Sequence, residues 1–344
     1  MTFRLKPRLT LLAAPGMAAV LMLVGCSAHS GHSDASDTGT GPGSGTQGPA
    51  GFPVTIADCG RTLTFDAAPR RVVILSPVIA SDMIALGLGN RIVGQSGTDY
   101  VAPPSATAKV PVLSHSNVTS TEVLLGVRPD LVISDLVYRL TPSQGGASLG
   151  RLQQAGVQSY VATAGCQVTE SGGTVADEFT DVQNLGKIFG VEAKATALVT
   201  RLKGELADVQ RSVAGQPKVS VFEGTLYNGQ YYPVAGLGLD ALGIAGGSSI
   251  FPNVANANAS VSKEAITARN PQAIIDQVSG PLGDKQKQQA IAELKAAFPT
   301  TAAVKNNRIY FLGYVASGEP GSAIETVNTL RQLATYLHPA ASNR

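Results

Sequence analysis

Residues 191–214 read VEAKATALVTRLKGELADVQRSVA. Leu198, Leu202, Leu206, Val209 and Val213 recur at steps of three or four, so on a helix they draw one apolar stripe. The stretch has no proline and a single glycine, Gly204. It predicts one helix of about 24 residues, roughly 36 Å long at 1.5 Å per residue. On either side, short β-branched runs alternate with helical stretches, the pattern of parallel α/β units. Before it, strands are expected at Arg71–Leu75, from Ile92, at Leu131–Ser134 and at Ser159–Ala162, with a helix at Ile79–Leu88. After it come strands at Val219–Phe222, Ala273–Ile275 and Arg308–Leu312, interleaved with helices near 237–245, 262–269, 285–297 and 320–337. The fold class is therefore α/β: two Rossmann-like lobes with mainly parallel sheets, residues 53–190 and 215–344, joined by one long helix at 191–214. A single crossing helix makes a stiffer hinge than extended strands would, so small closure motions are expected.

The N-terminus carries an address. Arg4, Lys6 and Arg8 precede an apolar run from Leu9 to Val24, broken by Pro15 and Gly16. That run falls short of the roughly 20 residues a spanning helix needs, so residues 1–25 read as a secretory signal. Leu23-Val24-Gly25-Cys26 resembles the bacterial lipobox, in which the cysteine sulfur is acylated and becomes the new N-terminus. Acyl chains contribute about 0.8 kcal/mol per buried methylene, and two or more give stable anchoring. Cys26 is the expected lipid attachment point and the outer face of the cytoplasmic membrane the expected location. Residues 26–52, rich in Gly, Ser, Thr, Asp and Pro, lack apolar periodicity and read as a flexible linker. His29 and His32 inside it read as a surface pair.

With Cys26 assigned to lipid, Cys59 and Cys166 remain of the three cysteines. In an oxidising compartment an even pair suggests a disulfide; two separately buried thiols are the alternative. A bridge between these positions would close a loop worth about 4.7 kcal/mol on the chain-entropy model. Lys+Arg 26 against Asp+Glu 24 offers no basic field for nucleic acid. Cleavage of the signal removes three bases and no acid, leaving the mature chain slightly acidic. Of the four histidines, only His115 and His338 lie in the body, too few for a zinc or manganese site of several imidazoles. Residues 236–243, GLGLDALG, lack the third glycine of a dinucleotide loop and read as a helix ending in a glycine cap at Gly243. No nucleophile–base, paired-carboxylate or P-loop arrangement appears, so no enzyme is expected.

One motif occurs twice. Ser120-Thr121-Glu122 is followed, seven positions after the glutamate, by Pro129 and the strand LVIS; Ser262-Lys263-Glu264 is followed at the same distance by Pro271 and AII. A serine N-cap with a glutamate in the first turn also suits any helix start. In open α/β sheets, ligands bind outside the carboxyl ends of the strands, so two lobes facing each other should hold a cleft between them. Candidate ligand contacts at predicted strand ends are Tyr100, Tyr138, Arg139, Glu223, Tyr227, Tyr231, Tyr232 and Tyr314. Tyrosine offers a flat apolar face with one hydroxyl, and arginine can pair with carboxylate, catecholate or phosphate oxygens. Glu223 could instead orient an arginine in the cleft. Tyr160 and Tyr310 fall within strands and are expected in the core.

The lipobox, RVVILSP after Pro69, LGLGNRIVG, the paired glutamate motifs with PDLVIS and NPQAII, and the long bridging helix together resemble the substrate-binding proteins of ABC importers. The match is to the single-helix class that takes ferric siderophores, haem and cobalamin, and it extends over Val54 to His338. DCGRTLTFDAAPRRVV and GVQSYVATAGC are similar to the iron-siderophore branch. The resemblance implies that Glu122 and Glu264 dock onto arginines of a permease dimer. It also implies a small-molecule ligand, no cofactor of the protein's own, and a monomer. Iron would arrive inside the ligand, and tyrosines without any tryptophan favour a ferric siderophore over cobalamin. Haem or cobalamin binding by the same fold, and a surface scavenger without its own permease, are the alternatives.

Overall fold

The computed structural model describes residues 51–166, 172–227, 229–254, 259–278, 282–313 and 320–339. The chain divides into residues 1–46 and 47–344, and every described residue belongs to the second unit. Cys26 and Tyr314 lie outside the described residues.

The chain first makes a hairpin of β1 (Val54–Asp58) and β2 (Arg61–Phe65). Its two turn residues, Cys59 (φ 45°) and Gly60 (φ 74°), both have positive φ, as a primed turn requires. Then follow β3 (Val72–Ile74), α1 (Ile79–Ala85), β4 (Ile92–Ser96), β5 (Val112–Ser114), α2 (Thr121–Gly126), β6 (Leu131–Ser134), α3 (Leu149–Gln154) and β7 (Gln158–Val161). Strands β5-β4-β3-β6-β7 pair in that order, all parallel. Next come α4 (Val175–Phe189) and α5 (Glu192–Val213). The second half contains β8 (Val219–Tyr227), β9 (Gln230–Pro233), α6 (Leu237–Ile244), β10 (Gly247–Ser249), α7 (Lys263–Arg269), β11 (Ala273–Val278), α8 (Asp284–Ala297), α9 (Ala302–Lys305), β12 (Ile309–Gly313) and α10 (Ala323–Leu337). Here β10-β8-β11-β12 are parallel, with β9 antiparallel on β8.

The expected bridging helix is α5. Ala195, Leu198, Val199, Leu202 and Val209 are buried on it, while Leu206 and Val213 are partly buried and pack against the same core. It does not bridge alone. Helix α4 ends at Gly190 in the left-handed conformation, and α5 turns back against it so closely that a Cβ at Gly186 would lie 2.5 Å from the Ala195 Cβ. Helix α10 returns from the second lobe to lie against both. The result is one apolar core reaching from Val72 and Ile74 under the first sheet to Val221, Ile275 and Leu312 under the second, with α4, α5 and α10 between them. Smaller cores sit on the outer faces: Val73, Leu124, Val132 and Leu152 on the first sheet, Phe222, Ile274, Leu294 and Phe298 on the second.

Two boundaries and one burial differ from the sequence reading. Within 223–232, expected as a strand-end loop, residues 223–227 continue β8 and residues 230–232 lie on β9, which pairs antiparallel with it. Gly243 lies inside α6 and not at its cap; the chain leaves the helix at Ala245 and turns at Gly246 (φ 85°). Tyr310 is only partly buried, stacked on Tyr336 with ring centroids 4.6 Å apart, whereas Tyr160 is a core residue as expected.

Candidate ligand cleft and docking face

Gly321, which precedes α10, shows how the two halves meet. A Cβ placed there would lie 3.2 Å from Ile79 Cγ1, 3.5 Å from Val78 Cγ1 and 3.4 Å from Asp135 Cβ. Val78 follows β3 and Asp135 follows β6, so carboxyl-end loops of the first sheet reach the segment between β12 and α10. Carboxyl-end loops of the first sheet, the side where α/β folds place ligands, thus meet the start of the helix that follows β12.

On the first lobe this edge is organised by Arg139, though not as expected. It was expected to offer its guanidinium to a ligand; instead it is 1% exposed. Nε and Nη2 grip the Asp135 carboxylate at 2.5 and 2.6 Å. Nη1 donates to Asn117 Oδ1 at 2.8 Å and to the Asn117 carbonyl at 3.1 Å. Nη1 also lies beneath Gly97, 3.6 Å from where a Cβ would stand. One side chain thereby ties together the loops after β4, β5 and β6. The arginine also lies 5.5 Å from the ring centroid of Tyr138, and Tyr100 and Tyr138 are both partly buried. Beyond them Thr98 Oγ1 meets His115 Nδ1 at 2.8 Å on the exposed rim.

On the second lobe the pleat sorts the candidates. Successive side chains on a strand point to opposite faces, and Thr225 pairs with Tyr232 while Leu226 pairs with Tyr231. Tyr231 packs edge-on against Phe222 and Phe298, with centroids at 6.1 and 5.2 Å, and belongs to the outer core. Tyr232 shares the other face with Glu223 and Thr225, its hydroxyl donating to Gln230 Oε1 at 2.8 Å. Tyr227, at the hairpin tip, is 64% exposed. Glu223 is 1% exposed. Its Oε1 accepts from Gln277 Nε2 at 3.2 Å, and Gln277 Oε1 accepts from Thr225 Oγ1. Burial pushes the Glu223 carboxyl up to about 8, so it holds a proton at neutral pH and offers an O–H.

The repeated motif is a structural repeat as well. Ser120 caps α2, accepting from Val123 N, and Ser262 caps α7, accepting from Ala265 N. Each helix is followed by a residue at positive φ immediately before proline, Arg128 (48°) and Asn270 (47°). Each motif then enters a strand, β6 or β11, beside the first strand of its parallel sheet, β3 or β8. Glu122 and Glu264 accordingly stand at equivalent points, on first turns of helices that start from the carboxyl-end side of their sheets. Their surroundings differ. The side chain of Glu122 is 62% exposed and takes Arg151 Nη1 at 2.6 Å. Its own backbone N–H and Arg151 hold its carboxyl below the usual range. Arg151 is in turn fixed by Ser148, the cap of α3, whose backbone N–H donates to Thr121 Oγ1.

Cys59 and Cys166 are joined in the structure, with Cα atoms 5.0 Å apart and a sequence separation of 107. The same hairpin is held on β7 by Asp58 Oδ1, which accepts from Val161 N at 2.8 Å, and by Arg61, which reaches Asp58 and the Ser159 carbonyl. No helix among the described residues is long and apolar enough to cross a membrane.

A family model described as "Periplasmic binding protein" matches residues 72–316. A cobalamin-binding protein of Halobacterium salinarum is 27% identical over 263 residues, covering 74% of this chain and 67% of that protein. A periplasmic binding protein structure from Veillonella parvula superposes with TM-score 0.71 at 25% identity, covering 83% of this chain and 97% of its own. The structure of an ABC-type Fe3+-hydroxamate transport system from Saccharomonospora viridis gives TM-score 0.68 at 22% identity, with 83% and 99% covered.

Proposed function

This chain belongs to the periplasmic binding protein family, and from that premise we propose that it is the lipid-anchored receptor of an ABC importer, capturing a ferric siderophore and presenting it to a permease dimer. The observation that carries the reading is the internal repeat: two capped glutamate motifs, each at the carboxyl-end side of a parallel sheet. Ligand and permease then approach from one side, and Glu122 and Glu264 mark the two lobes for docking. Ion pairs at such exposed positions set register and association rate more than affinity. Tyr100, Tyr138, Tyr227 and Tyr232 are the proposed ligand contacts, with Tyr314 on the segment after β12; Glu223, buried like Arg139, is proposed as a positioning residue on the Tyr232 face of the hairpin. The tyrosines suit the apolar rims and oxygen acceptors of an iron chelate.

Anchoring rests on Cys26 in its lipobox-like setting, and the joined Cys59 and Cys166 suit an oxidising, extracytoplasmic location. The proposed domain bounds are 1–25 for the signal, 26–52 for the tether, 53–190 and 215–344 for the lobes, with 191–214 between them. Cobalamin is a second reading, favoured by the Halobacterium relative.

Calorimetry against ferric siderophores, haem and cobalamin tests the ligand class. Binding of a siderophore below about 10 μM, near −7 kcal/mol, is expected, and binding of none of the three classes below that level rejects the reading. Charge reversal at both Glu122 and Glu264 should abolish uptake with ligand affinity unchanged. Wild-type uptake by the double variant rejects docking through these residues.

A further inference from the structure

Three carboxylates are buried where α1 and α4 meet the start of α10. Asp82 on α1 accepts three hydrogen bonds from the first residues of that helix: Ser322 Oγ at 2.9 Å, Ala323 N at 2.8 Å and Ile324 N at 3.2 Å. It occupies a helix N-terminus, where backbone N–H groups and the macrodipole favour an anion. Glu178 on α4 accepts from Gly321 N with both oxygens, at 3.1 and 3.3 Å. Asp181, one turn further along α4, accepts from Tyr160 Oη, from Thr163 N and from Thr163 Oγ1. All three are at most 4% exposed. The other ionisable groups around them are Glu325 on α10, bonded by Ser81 Oγ, Tyr160 on β7, and the Asp135–Arg139 pair in the loop after β6. Among the described residues no Lys, Arg or His pairs with any of the three.

This cluster joins the lobes. Asp82 and Glu178 ride on helices of the first half and their donors, Gly321 to Ile324, open the last helix of the second, while Asp181 is held within the first lobe by Tyr160 and Thr163. We propose that Asp82 and Glu178 form a proton-dependent clasp on the start of α10, through which the junction between the lobes tightens or loosens with pH. The bonding dictates which carboxyl keeps a proton. Asp82 has three donors and Asp181 three, while Glu178 takes the backbone N–H groups of Gly321 and Ser322 and has two anionic neighbours. Desolvation and the charges of Asp181 and Asp82 push Glu178 well up, desolvation raises Asp181, and desolvation pushes Asp82 up to about 6 despite its donors. Each carboxyl thus binds its proton more tightly in the folded state than in the unfolded one. The stability this contributes is fully present below the ordinary carboxylate range and is lost as pH rises through about 6 and above. Deprotonated Glu178 would face two carboxylates with no cation between, and repulsion would part α1 from α4 and release Gly321.

The test is amide exchange at Gly321, Ala323 and Ile324, corrected for intrinsic rates, between about pH 5.5 and 8.5, together with thermal melting of the intact chain. If opening releases one proton, protection should fall about tenfold per pH unit across the titration. Glu178→Gln keeps an acceptor for Gly321 and cannot ionise, so its protection and melting temperature should lose the share of the fall that Glu178 contributes and keep a shallower one from Asp82 and Asp181. Asp181→Asn, which leaves the bonds to Gly321 intact and removes one negative neighbour that holds the proton on Glu178, should make the fall smaller and end it at lower pH, and serves if E178Q does not fold. Three results overturn the clasp: no fall in the wild type, the full wild-type fall in both variants, or a fall in melting temperature that these three amides do not share.

Discussion

Arg139 and Asp135 show how a residue at a strand end can be essential to a site without touching what the site holds. A buried ion pair is weak evidence of stability, because desolvation offsets attraction, but removing one partner strands the other. Here the stranded group would be Asp135, and the loss would also cut the bonds to Asn117 that align the loops after β5 and β6. Arg139→Ala should therefore cost about 3–5 kcal/mol, read from the midpoint of urea unfolding. Arg139→Lys should recover only part of it, since an ammonium cannot reproduce the two-pronged grip on Asp135. An unfolding midpoint equal to the wild type in R139A would show that the pair organises nothing. Sequence marks Arg139 as a strand-end arginine but cannot show where its charge is spent. Asp135, four residues earlier in an irregular loop, has no spacing that distinguishes it from a surface acid.

At the level of the element, the β8–β9 hairpin decides which tyrosines can serve a ligand. Asn228-Gly229 between two β-prone runs is a strong short-range hairpin signal. Read as a turn, it places Tyr231 and Tyr232 on opposite faces at once. Tyr231→Ala should destabilise the protein by about 2 kcal/mol, through lost area and edge-on contacts with Phe222 and Phe298, with ligand affinity kept. Tyr232→Ala should do the reverse, weakening ligand binding and leaving the unfolding midpoint near the wild type. If both variants change the same quantity, the pleat does not separate their roles. Helix α5 was legible because its apolar stripe is continuous. Helix α4 was not, because Glu178 and Asp181 face inward and interrupt the periodicity that marks a buried helix face. Its N-terminal signal was nevertheless present, with Thr174 N and Oγ1 both donating to the Asp177 carboxylate three residues on. The short strands β5 and β10 carry too few side chains for a period of two to register.

For the whole molecule, two α/β sets suggest two cores, whereas the structure has one that runs under both sheets. The difference arises because α10, written at the far end of the chain, returns to α4 and α5, a pairing that no local pattern encodes. A shared core ties the stability of each lobe to the other. Heating should then give one cooperative transition, with calorimetric and van't Hoff enthalpies equal, where two independent lobes would give two. Ligand held between the lobes should raise that single transition as a unit, by about 2.7 kcal/mol at a hundredfold excess over its Kd. The bond between Cys59 and Cys166 lies outside this core, at the turn of the separate β1–β2 hairpin beside β7, where Cys59 packs on the outer cluster of the first sheet. Cys59→Ser with Cys166→Ser should accordingly lower stability by about 2–5 kcal/mol while leaving the transition single and ligand affinity unchanged. Two transitions in the double serine variant would mean that the bridge, and not the helical layer of α4, α5 and α10, is what makes the lobes fold as one.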